Sequence, residues 1–130
     1  MEHRSVPTVP LEAHEWTLTR LALNDDDLIA ELTESDEANL DASGLDPRAH
    51  ALVRIGALLA LDAAPASYAS VVRLAERAGV SPSEIVGVLV AVAPSIGIAR
   101  TVSAAPELAL AVGFDVDDVI EGTRDRPDAR

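Results

Sequence analysis

The tetrapeptide Ser81-Pro82-Ser83-Glu84 stands directly before the longest uncharged run of the chain, the fifteen residues between Glu84 and Arg100. It limits what that run can become. A serine with a glutamate three positions later satisfies two orphan amides at a helix start, and a proline inside this box already has helical φ. On its own, VGVLVAVA passes for a buried strand. Behind this cap it reads as a helix, with Ile85, Val88, Leu89 and Val92 on its buried face. Pro94 is expected to break or kink that helix. A sixth helix continues to about Val112, with Pro106 as a second candidate break and Gly113 as the C-cap.

The same punctuation organises the rest. Asp46-Pro47 pairs an N-cap with proline at the first helical position and opens a third helix, with Leu52, Ile55, Leu58 and Leu59 at helical spacing. Pro65 restarts the chain for a fourth, which turns Val71, Val72 and Ala75 inward and ends at Gly79. Upstream, Leu11–Leu23 reads as a first helix. Asn24 reads as the N-cap of a second, with Asp25, Asp26 and Asp27 at its positive end and Leu28, Ile29 and Leu32 as its apolar stripe. The acidic stretch ESDEANLDASG reads as a linker, and Asp115–Glu121 as a short final turn. Nothing alternates with period two over a useful length. The expected fold is all-α, a bundle of about six to seven helices. Its core is expected around Leu52, Ile55, Leu59, Val71, Leu74, Ile85, Leu89 and Val92.

Composition narrows the function classes. The chain has 130 residues, which suits one domain, and 48% are hydrophobic while only 2% are aromatic. The core must therefore be alanine, valine, leucine and isoleucine, and a domain this small is expected to bury some apolar surface between subunits. Residues 1–46 hold twelve acids and two arginines, residues 47–114 hold four acids and five arginines, and residues 115–130 hold six acids and three arginines. This gives an acidic segment over 1–44, a nearly neutral core over 45–113 and an acidic tail over 114–130. The net charge of −12 argues against nucleic acid and anionic membrane as partners. The absence of cysteine removes disulfides, thiolate catalysis and cysteine-ligated metals. The first residues lack the unbroken apolar stretch of a signal peptide, and fifteen uncharged residues fall short of the roughly twenty of a membrane helix. The expected location is cytoplasmic.

The stretch from Leu45 to Val112, and AGVSPSEIVGVLVAVAPSIGIAR in particular, resembles the carboxymuconolactone decarboxylase family, which includes the alkylhydroperoxidase D-like proteins. The family pattern is A-G-x-[ST]-x-x-E-I-x-E-x-L followed by Y-x-G-x-P. The resemblance implies an alkylhydroperoxidase D-like helical bundle and a homotrimer or a hexamer built from trimers. It also implies where chemistry belongs. Counting back from Gly79, the family's C-x-x-C-x-x-x-H falls on Ala64, Ser67 and Val71, and its supporting glutamate on Leu52. The decarboxylase branch keeps the histidine, and Val71 cannot transfer a proton. In Y-x-G-x-P only Gly97 remains, with Ser95 and Ala99 in the other places, and the second glutamate of E-I-x-E is Gly87. The resemblance thus implies a family member without the redox cysteines. It is either a non-redox, decarboxylase- or lyase-like enzyme or binder of a small organic acid or lactone, or a catalytically inactive structural protein that assembles with itself.

Several residues remain as candidates, each with a plainer alternative. Tyr68 can orient a ligand or plug the core. His50 can act as a base or sit exposed or capped on the third helix. Glu84 can take part in chemistry or only complete the box with Ser81. Ser67, Ser70 and Ser95 offer hydroxyls to a ligand, and serine acts as a nucleophile only beside a base. Arg73 and Arg77 can hold a carboxylate or pair with acids. The resemblance implies that any functional pocket lies between the third and fourth helices near a subunit contact, and subtraction then leaves Tyr68, with Ser67, Ser70, Ser95 and His50, as its polar lining. The run NDDDLIAELTESDE lacks the ligand order of an EF-hand, and His3, His14 and His50 are too widely spaced for a zinc motif. No metal and no cofactor are expected. Peroxide reduction through a cysteine needs a thiolate. The purified protein, without added metal or cofactor, is therefore expected to leave an alkyl hydroperoxide unreduced in a peroxide-consumption assay, and robust turnover would overturn this reading.

Overall fold

Local hydrogen bonds set most helix starts in the computed structural model, which describes residues 10–124. The fold is all-α, with no strand among the described residues. Among the described residues eight helices follow in order: α1 (Ala13–Ala22), α2 (Asp26–Glu34), α3 (Asp36–Ser43), α4 (Pro47–Leu61), α5 (Pro65–Arg77), α6 (Pro82–Ile96), α7 (Ile98–Ala111) and α8 (Val116–Arg124). None of these is long and apolar enough to cross a membrane. The chain divides between Gly44 and Leu45 into two units.

In the first unit the cap of α2 is Asp25, not Asn24. The Asp25 carboxylate accepts the Leu28 amide at 3.1 Å and the Arg20 Nε–H at 2.9 Å. Asn24 instead takes φ 55°, a left-handed turn that asparagine tolerates better than most residues. The expected linker ESDEANLDASG contains a helix, α3. Ser35 Oγ accepts the Ala38 amide at 3.0 Å, Asp36 and Glu37 lie at the positive end of the dipole, and Gly44 ends the helix at φ 67°. Acidic residues that look turn-like in sequence are favourable in a first helical turn. Asn39 Nδ2 donates to the Leu32 carbonyl at 2.8 Å and ties α3 to α2. Leu28 is the buried side chain among these three helices.

In the second unit α4 packs against α5, α6 and α7. Asp46 Oδ1 accepts the Ala49 amide at 2.9 Å, and Ser81 Oγ accepts the Glu84 amide at 3.1 Å, so both expected caps form. Ala51, Ile55 and Leu59 repeat every four residues and meet Tyr68, Val71, Val72 and Ala75 of α5, Ile85 and Leu89 of α6, and Ala104 and Leu108 of α7. Leu52, Leu74 and Val92, expected in the core, are only half-buried. A Cβ at Gly56 would lie in ordinary van der Waals contact with Val92 Cγ1 at 3.4 Å and Val88 Cγ1 at 3.5 Å, where α4 faces α6. Pro94 does not end α6, which continues to Ile96. The chain turns instead at Gly97, with φ 88°. Pro106 likewise lies inside α7. The final helix is longer than a turn, and Asp115 Oδ1 accepts the Asp117 amide at its start at 2.9 Å.

Two arginines fasten α4 at its ends. Arg48 Nη1 donates to the Gly79 carbonyl at 2.6 Å, and its Nη2 pairs with Glu84. Arg100 donates to the Ala60 carbonyl. The Ser81 amide first, then the Ser81 hydroxyl and Arg48, hold the Glu84 carboxyl below its usual range. That contribution to stability is complete above the ordinary glutamate pKa of about 4.3 and is lost as the pH falls through the lower folded value. Thermal unfolding followed by circular dichroism should therefore show a smaller acid-induced drop in midpoint for Glu84→Gln than for the wild type. Equal drops would show that Glu84 adds nothing to the acid response.

Tyr68 is 1% exposed, and its hydroxyl donates to the Leu58 carbonyl at 3.3 Å. Burial first, then the charges of Glu107 and Asp62, push its phenol above the usual value. The linked stability is intact below the ordinary tyrosine pKa of about 10 and is lost as the pH rises through the raised value. Because the chain has one tyrosine, an ultraviolet titration of tyrosinate reads this group alone. Its midpoint should lie above that of free tyrosine, whereas an ordinary midpoint would place the phenol in solvent.

Candidate functional site

A hollow of about 340 Å³ lies between α4 and α5, lined by Arg54, Leu58, Ala66, Ser67, Ser70 and Val71. The helical register explains this set. Arg54 and Leu58 are four apart on α4, while Ser67, Ser70 and Val71 share one face of the first turns of α5. Tyr68 is one residue on from Ser67 and turns into the core, where its hydroxyl is taken by the Leu58 carbonyl. It does not line the hollow, contrary to the sequence expectation.

The positions that the resemblance marks as reactive occupy definite places. Ala64 is the N-cap of α5 and makes no side-chain cap bond, Ser67 is the third helical residue, and Val71 is buried beneath the hollow. Leu52 is half-buried against the core.

The other candidates do not gather here. His50 is 8% exposed in the first turn of α4, so it is not the exposed side chain of one sequence reading, and it does not line the hollow. Ser95, Arg73 and Arg77 are exposed and lie outside it. Glu84 completes the capping box and pairs with Arg48.

Arg54 is the lining side chain that sequence reasoning passed over. Its signal was available: it is the one charged residue on α4 beyond the first turn. Its place in the hollow depends on how α5 is rotated against α4, which spacing within one helix does not give.

The lining holds one guanidinium, two hydroxyls and three apolar side chains, with no carboxylate or imidazole among them. A guanidinium stays protonated at any physiological pH and matches a carboxylate in shape and charge. Serine hydroxyls donate to the same oxygens. Neither serine has a base in this lining to activate it. The arrangement can hold and orient an anion. Elsewhere, a hollow of about 360 Å³ is lined by Asp62, Ile96, Ala99, Arg100 and Ser103, and an apolar one of about 400 Å³ by Pro82, Ser83, Val86, Ala109, Val112 and Phe114. Glu12, His14 and Glu15 bring three potential metal-ligand atoms within 4.8 Å of one another among the described residues. All three are exposed. Glu15 accepts the Glu12 amide at 3.1 Å, and His14 lies 3.3 Å from the Glu12 carboxylate, so these groups are engaged in starting α1.

The sequence profile of the carboxymuconolactone decarboxylase family matches residues 26–111. That span runs from the first residue of α2 to the last of α7, so it takes in the two acidic helices that precede the Leu45–Val112 resemblance. No curated protein and no solved structure matches the chain significantly. With the profile covering well over half of an all-helical chain that contains no cysteine, the protein belongs to the carboxymuconolactone decarboxylase family as a member without the redox cysteines.

Proposed function

We propose that this chain binds a small organic acid in the hollow between α4 and α5 and does so without redox chemistry. The observation that carries this reading is the set of Arg54, Ser67 and Ser70 around an apolar floor of Leu58, Ala66 and Val71. A carboxylate placed there meets a charged donor and two hydroxyls, while a short hydrocarbon body rests on the floor. The volume lies at the small end of ligand sites, which run from roughly 300 to 1,000 Å³. Arg54 favours an acid over a neutral lactone. The location expected for such a protein is the cytoplasm.

A second reading is a catalytically inactive structural member. It draws on Tyr68, whose hydroxyl is spent on the Leu58 carbonyl inside the core and which therefore offers nothing to a ligand.

Isothermal titration with a panel of short monocarboxylates, each alongside the matching neutral amide, separates the two. Binding of an acid and not of its amide is expected. Arg54→Gln should weaken it by about 1.5–3 kcal/mol, the range for a hydrogen bond to a charged group, or roughly 10- to 150-fold in Kd. Ser67→Ala should weaken it less. An absence of binding across the panel, with Arg54→Gln as stable as the wild type, would leave the structural reading.

A further inference from the structure

The hollow lined by Asp62, Ile96, Ala99, Arg100 and Ser103 stands between two helix ends of opposite polarity. Asp62 is the C-cap of α4, in the left-handed conformation at φ 53°. The other four come from the last residue of α6 and the first two turns of α7. A helix favours a cation at its C-terminus and an anion at its N-terminus. Asp62 therefore puts a carboxylate where the α4 carbonyls already gather negative charge. Arg100 answers part of that by donating to the Ala60 carbonyl. Yet Asp62 and Arg100 line one hollow without pairing with each other. The ion pairs among the described residues are those of Glu12 with His14, Arg20 with Asp25 and Arg48 with Glu84.

A second observation points the same way. Glu107 Oε2 is closed off from solvent and has no hydrogen-bond partner among the described residues. A carboxylate oxygen left so is costly unless a cation or a donor comes near it. Glu107 follows Ser103 by four residues and so shares its face of α7. The charges of Glu107, Asp62 and Arg100 all act on the Tyr68 hydroxyl, so the three groups cluster about one point. We propose that this hollow binds a small apolar α-amino acid as its zwitterion. The ammonium sits by Asp62, at the negative end of α4, and offsets the charge of Glu107 as well. The carboxylate meets the Arg100 guanidinium and the Ser103 hydroxyl, at the positive end of α7. A short hydrocarbon side chain rests on Ile96 and Ala99. Opposite charges held apart select the zwitterion over a plain acid or a plain amine, since either leaves one charge of the hollow unanswered.

The test is isothermal titration of the full chain with glycine, L-alanine, L-valine and L-leucine, alongside propionate and ethylamine, which each lack one charge of alanine. It is run on the wild type and again on Arg54→Gln, which takes the guanidinium out of the α4–α5 hollow. At least one of the amino acids should bind, equally well in both chains, and alanine should bind at least about tenfold more tightly than ethylamine in both and than propionate in Arg54→Gln. Asp62→Asn keeps a residue that tolerates the left-handed turn, and Glu107→Gln keeps the side-chain length. Each should raise the Kd of the bound amino acid roughly tenfold or more, with helical circular dichroism unchanged. No binding of any of the four at millimolar concentration would overturn the inference. So would propionate binding Arg54→Gln as tightly as alanine does, or amino-acid binding that Asp62→Asn and Glu107→Gln both leave intact. Amino-acid binding lost in Arg54→Gln would assign it to the α4–α5 hollow and equally overturn the inference.

Discussion

Arg48 joins three pieces of chain that are distant in sequence. From the first turn of α4 it donates to the Gly79 carbonyl at the end of α5 and pairs with Glu84 in the first turn of α6. Glu84 is simultaneously the acceptor for the Ser81 amide at 3.2 Å. A capping box that would otherwise stabilise one helix locally is thereby tied to the helix in the middle of the second unit. The far end of α4 is tied in the same manner, by Arg100 from α7. Cation and carbonyl meet at both ends of the helix against which α5, α6 and α7 all pack, so the register of those three helices is referred to α4.

Between those ties the packing is made by small side chains. The largest buried groups are one tyrosine, isoleucines, leucines and valines. Such a core gains stability from close packing of small side chains rather than from bulky anchors, as where Gly56 of α4 faces Val88 and Val92 of α6. The consequence reaches the α4–α5 hollow. Val71 and Leu58 contribute to the interior and to the floor of the hollow at once. What remains open to solvent chemistry is a rim of polar side chains, not a deep chamber.

The helix-start chemistry of Asp46 and Ser81 was legible because it is local. A cap is decided by residues within four positions, and both caps form as the sequence reads. Asn24 and Asp25 show the limit of that logic, since either can cap and Arg20 favours Asp25 by binding its carboxylate. The linker reading of ESDEANLDASG failed because acidic residues suit both turns and first helical turns, and the bond from Asn39 to the Leu32 carbonyl that holds α3 to α2 spans seven residues. Pro94 failed as a break because a proline near a C-terminus removes one amide without forcing the chain to turn, whereas Gly97 at φ 88° does turn it. At the site, spacing gave Ser67 and Ser70 but misplaced Tyr68 and omitted Arg54. Both depend on the rotation of α5 against α4, a tertiary quantity.

The N-terminus of α5 keeps an electrostatic property that its present residues do not use. Ala64 stands at the N-cap and Ser67 in the first turn, where the helix dipole stabilises negative charge. That is the environment in which a thiol loses its proton readily. Reactivity of that kind belongs partly to the backbone, and the backbone is still here. The family's two cysteine positions, Ala64 and Ser67, thus still lie in a field that favours a thiolate, while its histidine and glutamate positions, Val71 and Leu52, are apolar here.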